Sequence, residues 1–309
     1  MAIGFAADAV RAACIKRIPG HKPKVRLVQT VEFEGGSARP VREARAAALE
    51  ELTRQLQIER HHCTSLLANG EYQILLLDAP QVQAEELKGA LRWRLKDMID
   101  YPVDMATFDL LPLPQDKQGG ERAQVFVVAA RNTLITEHQN LFVQAKTGLR
   151  TIDIPELAQR NLAALVEPQG SALALLSFDD EGGLLTISHG GDLYLTRRID
   201  VRLYTLEHRD SEERAAILER ITLELQRSLD HFDRQYHFMN LSRLMLAPLP
   251  EAGQSLFNYL ASNLYLPVEW LDLQDILDCG HVPSLKDAAM QQRYFQVLGA
   301  ALRLEEGTD

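Results

Sequence analysis

Few side chains in this 309-residue chain stand in patterns that chemistry would use. The nearest are the acidic run Asp179-Asp180-Glu181, the clusters His61-His62-Cys63 and Cys279-Gly280-His281, and the trio Glu224, Arg227 and Ser228. Consecutive carboxylates can hold a divalent cation through oxygen, but apolar segments flank this run on both sides, which marks the acidic tip of a hairpin. The His and Cys clusters have the donor types of a zinc site without its paired spacing, so no metal is expected. Glu224 and Arg227 lie three residues apart on a helical pattern. They are either the edge of a cleft or a surface ion pair worth a few tenths of a kcal/mol. No His-Glu-x-x-His, Gly-x-Ser-x-Gly or Walker loop occurs, so no catalytic residue is assigned.

Two segments share a strand-turn-strand pattern about half a chain apart. One is Ile3 to Arg11; the other is Leu173 to Ile187, followed by Gly190-Gly191 and a strand to Ile199. A turn that binds phosphate between two strands needs an Asp for the water shell of a metal and a Gly for close backbone approach. Here Gly4 and Ala6 occupy those places in the first turn, and Ser177 and Asp179 in the second. A carboxylate at Asp179 would face a phosphate, and two like charges about 4 Å apart repel by roughly 1 kcal/mol even in water.

The length fits two lobes of about 150 residues each. With 46% hydrophobic and 25% charged residues the composition is globular, and a formal net charge of −10 argues against nucleic acid as a partner. No apolar run reaches the ~18 residues of a membrane span, and the first residues lack a secretion-signal pattern. Three widely spaced cysteines make no disulfide framework. A cytosolic location is expected.

Strands are expected at Ala2 to Phe5, Ala9 to Lys16, Val25 to Glu34 and Tyr72 to Asp78, the last buried on both faces, with a helix from Pro40 to Gln57. A unit from about residue 80 to 150 follows. Its helix, Gln83 to Ile99, carries Leu87, Leu91, Leu95 and Met98 on one stripe and Trp93 off it; Tyr101-Pro102 ends it. Strands at Thr107 to Leu113 and Ala123 to Ala130 flank a loop with Gly119-Gly120 at its tip. Asn132 is expected to cap a helix over Thr133 to Thr147. Beyond the boundary near Gln169-Gly170 come the second strand-turn-strand and the longest helix, Ser211 to about Tyr236, with Ile217, Ile221, Leu225, Leu229 and Phe232 in its stripe. The strand Leu244 to Ala247 is broken by Pro248-Leu249-Pro250, and helices at Gln254 to Asn263 and Met290 to Leu304 flank the strand Val268 to Leu271. Alternating strands and helices predict an α/β fold.

Several segments together resemble the PilM family, the actin-like proteins of type IV pilus assembly, and within it the MshI-type branch of mannose-sensitive haemagglutinin (MSHA) pilus biogenesis. They are Ile3 to Arg11, Glu85-Glu86-Leu87 with Tyr101-Pro102, Val127 to Arg131, Ala145 to Asp153, Thr196 to Ile199, Glu224 to Asp230, and Leu298 to Arg303. The resemblance implies an actin-like (FtsA/PilM-type) two-lobed fold with an inserted strand-helix-strand-strand subdomain. The first lobe would span 1–169, with the insertion at about 80–150, and the second 170–309, its last helix (about 290–304) returning to the first lobe. It also implies an ATP–Mg cleft between the lobes, and a groove at the inserted subdomain for the cytosolic N-terminal tail of a single-span inner-membrane protein (PilN/MshJ-like).

Leu91, Trp93 and Tyr101 are the candidate groove residues. Gly4, Ala6, Ser177, Asp179, Glu224, Arg227 and Ser228 are the cleft positions. Both phosphate turns depart from the family, and Pro248-Leu249-Pro250 replaces the Gly-Gly turn that would approach adenosine, removing a donor and fixing φ. The expectation is a non-catalytic scaffold with no cofactor, touching the membrane only through its partner, with the assembly motor as a further contact. The competing readings are an active or nucleotide-switched ATPase, with Asp8, Asp179 or Asp180 carrying magnesium, and the cytosolic part of a type II secretion platform protein.

Overall fold

The computed structural model describes residues 1–33, 41–58, 62–114, 123–202, 205, 211–250 and 253–303. Glu34, Pro40, His61, the Gly119-Gly120 tip and Leu304 lie outside the described residues. Two five-stranded sheets share one plan. In the first, β1 (Ala2–Phe5), β2 (Ala9–Lys16) and β3 (Lys24–Glu32) are antiparallel, and β4 (His62–Leu66) and β8 (Gly148–Asp153) continue parallel to β1, in the order β3-β2-β1-β4-β8. In the second, β9 (Ala172–Asp179), β10 (Gly182–His189) and β11 (Asp192–Ile199) are antiparallel, and β12 (Leu241–Leu246) and β13 (Val268–Trp270) continue parallel to β9, in the order β11-β10-β9-β12-β13. The repeat seen in the two strand-turn-strand segments thus extends to whole sheets.

A third sheet, β5-β7-β6, unites Tyr72–Asp78 (β5), Ala106–Pro112 (β6) and Gln124–Arg131 (β7), with α2 (Ala84–Leu95) against it. This is the strand-helix-strand-strand insertion. Tyr72–Asp78 is not buried on both faces as expected; only Leu77 is fully covered, because β5 is an edge strand with one neighbour. The helix α2 stops at Leu95, and the N–H groups of Met98 and Ile99 close a final turn on the Leu95 carbonyl. Asn132 does not cap the next helix, α3 (Asn132–Gln144). It is the first helical residue, and its amide binds the Thr107 hydroxyl at 2.7 Å and the Asp104 carbonyl at 3.3 Å.

Small residues decide which helix covers which face of the first sheet. Ile3, Phe5, Val10 and Ala12 point to α1 (Val41–Leu56) and α3, where Leu49, Leu52 and Phe142 are buried. Ala2 and Ala13 point the other way, to α4 (Pro155–Ala163) and to the last helix, α8 (Ala288–Ala301). A Cβ on Gly4 would lie 2.7 Å from Val297 Cγ2, and one on Gly299 would lie 2.2 Å from the Ala158 carbonyl oxygen. The Asn161 amide donates to the Gly299 carbonyl at 3.0 Å. The last helix is therefore laid on the first sheet at contact distance. In the second lobe α5 (Ser211–Gln235) buries Ile221, Leu225, Leu229 and Phe232 completely, the stripe the periodicity predicts. The remaining helices are α6 (Gly253–Asn263) and the single turn α7 (Leu273–Ile276).

Two measurements follow. Gly299→Ala forces backbone apart and is expected to cost about 3 kcal/mol in urea unfolding, whereas Gly89→Ala on α2, with open space around it, raises stability by up to about 1 kcal/mol. His138 on α3 is buried, its Nε2 2.7 Å from Ser65 Oγ, and burial, then Arg45, lowers its pKa to about 4. The unfolded chain then binds the extra proton, so this group's contribution is full above pH 6.5 and fades as pH falls toward 4. It should remove about 2 kcal/mol between pH 7 and 5, a loss that His138→Asn abolishes.

Candidate functional site

The two hairpin tips, β1–β2 and β9–β10, approach one another between the lobes, and each consumes its own polar groups. In the first, the Ala6 N–H donates to the Ala9 carbonyl at 2.8 Å. Gly4, in the strand before it, is covered by Val297. In the second, the Asp179 carboxylate accepts the N–H groups of Glu181 (2.8 Å) and Gly182 (3.0 Å), the donors a phosphate at this turn would require. Burial pushes the Asp179 carboxyl above its ordinary value, and the Glu181 N–H acts in the opposite direction. Ser177 donates to Gln159 Oε1 at 2.6 Å, and Gln159 Nε2 in turn reaches the Leu175 carbonyl at 2.7 Å and Thr186 Oγ1 at 3.0 Å. This network fills the space beneath the second hairpin.

Protein groups also bridge the lobes. The Glu181 carboxylate accepts the Asn69 N–H at 2.8 Å, and Gln292 Nε2 donates to the Phe178 carbonyl at 2.9 Å. Arg11 lies 3.8 Å from Asp8 and within the field of Asp180 on the opposite tip; burial lowers its pKa, and the two carboxylates oppose that. Behind the tips, Tyr72 of β5 donates to Glu156 Oε2 at 2.5 Å, and Arg198 of β11 reaches Tyr72 Oη at 2.8 Å and Glu156 Oε1 at 3.1 Å. Burial, then the Glu156 carboxylate, pushes the Tyr72 phenol well above its ordinary value.

The other cleft candidates lie apart. Glu224 and Arg227 form a surface ion pair at 3.1 Å, and Ser228 donates to the Glu224 carbonyl one turn back at 2.7 Å, so these contacts stay within α5. Among the described residues no group of three His, Cys, Asp or Glu side chains could hold a metal, and none of the three cysteines is in a disulfide.

A groove of about 330 Å³ opens elsewhere, between β8, the edge strand of the first sheet, and β6, the edge strand of the inserted sheet. Leu111, Val128, Ala130, Ile135, Leu149, Ile152 and Leu157 supply apolar lining, and Asp109, Arg150, Asp153 and Arg303 its charged groups. Arg303 Nη1 holds Asp153 at 2.9 Å. Neither β4 nor β8 was visible in the sequence, because both are short and neither alternates strictly. Of the groove candidates, Leu91 is buried inside the subdomain, Tyr101 is buried under the Arg131 guanidinium at 4.2 Å, and Trp93 is 77% exposed. None of the three lines this groove.

No protein-family model matches the chain, and no curated protein matches it in sequence. Its fold is similar to that of a solved PilM-PilN type IV pilus biogenesis complex: TM-score 0.79 and 19% identity over 97% of this chain and 96% of that one. The cytoplasmic domain of EpsL, an inner-membrane component of the type II secretion system of Vibrio cholerae, aligns at TM-score 0.48 and 13% identity over 86% and 95% of the two chains. The chain has a two-lobed actin-like fold. Its fold is of the PilM type, with the inserted subdomain built on Tyr72–Arg131.

The bridge behind the tips can be tested by unfolding. Arg198→Met leaves the buried Glu156 carboxylate without its cation and is expected to cost about 3 kcal/mol. Adding Glu156→Gln should recover most of that loss.

Proposed function

We propose that the protein is a non-catalytic scaffold of a type IV, MSHA-like pilus assembly platform that captures the cytosolic tail of a PilN-like inner-membrane protein. The observation that carries this reading is the groove between two edge strands. An extended peptide entering there finds backbone partners on β8 or β6, side-chain pockets between Leu111, Ile135 and Ile152, and an Arg-bearing margin. A strand-addition site of this kind selects by alternate side chains and tolerates modest affinity. The solved PilM-PilN complex has the same fold, which supports a partner of that chemistry.

The hairpin tips support a role without nucleotide turnover. An ATP–Mg cleft needs free N–H donors at both turns and a carboxylate toward the metal. Here Asp179 occupies the second turn, and the Gly4 position has no room for a carboxylate beneath Val297. The residues present do not fit the group. No described helix is long and apolar enough to cross a membrane. The proposed partner would supply the membrane attachment, with the assembly motor as a further contact.

The test is titration calorimetry with a synthetic peptide of the partner's cytosolic tail, and separately with ATP and magnesium. Binding of the peptide, weakened at least tenfold by Ile135→Glu or Leu111→Glu, and no heat with millimolar nucleotide are expected. Nucleotide binding would restore the switched-ATPase reading, and no peptide binding would remove the scaffold reading.

A further inference from the structure

The tip joining β2 and β3 concentrates positive charge in a chain whose formal net charge is −10. Lys16, Arg17, Lys22, Lys24 and Arg26 fall within eleven residues that contain no Asp or Glu, and His21 sits among them. Residues 16–22 are all exposed, and Ile18 projects from the tip 37% exposed. Pro19-Gly20 makes the turn, with Gly20 at φ 76° and the His21 N–H on the Ile18 carbonyl at 3.1 Å.

The base of the hairpin is held fast. The Val25 N–H donates to the Asp278 carbonyl and the Asp278 N–H to the Pro23 carbonyl, each at 2.9 Å, and Lys24 lies 3.8 Å from Asp278. Arg17 donates to the Leu302 carbonyl at the end of α8. Lys22 donates to the Gln274 carbonyl at 3.2 Å, and Lys286 shares with it a surface cavity of about 480 Å³ that Asp278 also lines. Lys16 and Arg26 make no ion pair among the described residues. An apolar residue at a rigid tip, ringed by cations with long stems, matches a lipid interface: the chain end of Ile18 enters the headgroup layer while the ammonium groups meet phosphates. A lipid surface accounts for both the cations and the exposed part of Ile18, whereas acidic side chains alone account only for the cations.

We propose that the β2–β3 hairpin is a direct contact for an anionic bilayer surface. Contacts connect it to the groove: Arg17 holds Leu302, and the next residue, Arg303, holds Asp153 at the groove margin. Two consecutive residues, Leu302 and Arg303, thus link the hairpin to the groove margin. The hairpin contact does not require the groove to be filled.

Co-sedimentation of the full chain with phosphatidylcholine vesicles, with and without phosphatidylglycerol, tests this without any peptide. Binding to the anionic vesicles alone is expected at about 0.1 M salt, weakening as salt rises. Lys16→Gln with Lys22→Gln should lower the partition roughly 25-fold, about fivefold per charge, and Ile18→Trp should bind more tightly with blue-shifted emission. Neutralising Arg42 and Arg54 on α1 should change little. Equal binding by wild type and the double-glutamine variant would overturn the proposal. So would absence of binding to anionic vesicles, which would leave the basic hairpin to an acidic protein segment.

Discussion

The close approach of the last helix to the first sheet governs the arrangement of the lobes. Gly4 and Gly299 remove the two side chains that would hold Ala288–Ala301 off β1 and α4. The helix then brings Gln292 to the Phe178 carbonyl of the second lobe and places Leu302 and Arg303 against Arg17 and Asp153 of the first. Shape complementarity at this distance forfeits little dispersion energy and leaves no void. It also fixes the cleft: with Val297 over Gly4, the floor of the first hairpin is apolar and filled.

The lobes are held across the cleft by protein groups. Where an anion would join two turns, Asp179 joins one turn to itself, Glu181 reaches the Asn69 N–H, and Tyr72, Glu156 and Arg198 form a buried cluster behind. Such a cluster is costly to break because losing Arg198 strands the Glu156 carboxylate, which is almost fully buried. Protein groups thus join the lobes across the cleft, the arrangement on which the proposed scaffold role rests.

How much of this was legible in the residues varied with the signal. The amphipathic stripe of Ser211–Gln235, the insertion's helix and the paired hairpins were readable because each rests on local periodicity. The two short parallel strands His62–Leu66 and Gly148–Asp153 were not, since parallel pairing joins residues more than eighty positions apart with no turn to announce it. The groove follows from β8, so it too was hidden, and Leu91 and Tyr101, chosen from the helix and its stop, prove to be core residues. Trp93 is exposed, but away from the groove.

By itself, the sequence determined the α/β alternation, the strand-turn-strand repeat and the residue types at both turns, Gly4 and Ala6 in one and Ser177 and Asp179 in the other. These are local matters, set by side-chain period and residue type. Tertiary structure alone decided how these segments are placed: that Asp179 folds back on its own turn, that Val297 fills the space above Gly4, and that two edge strands face one another across a groove. Each of these depends on the distance between segments far apart in the chain, and one-dimensional spacing carries no such distance.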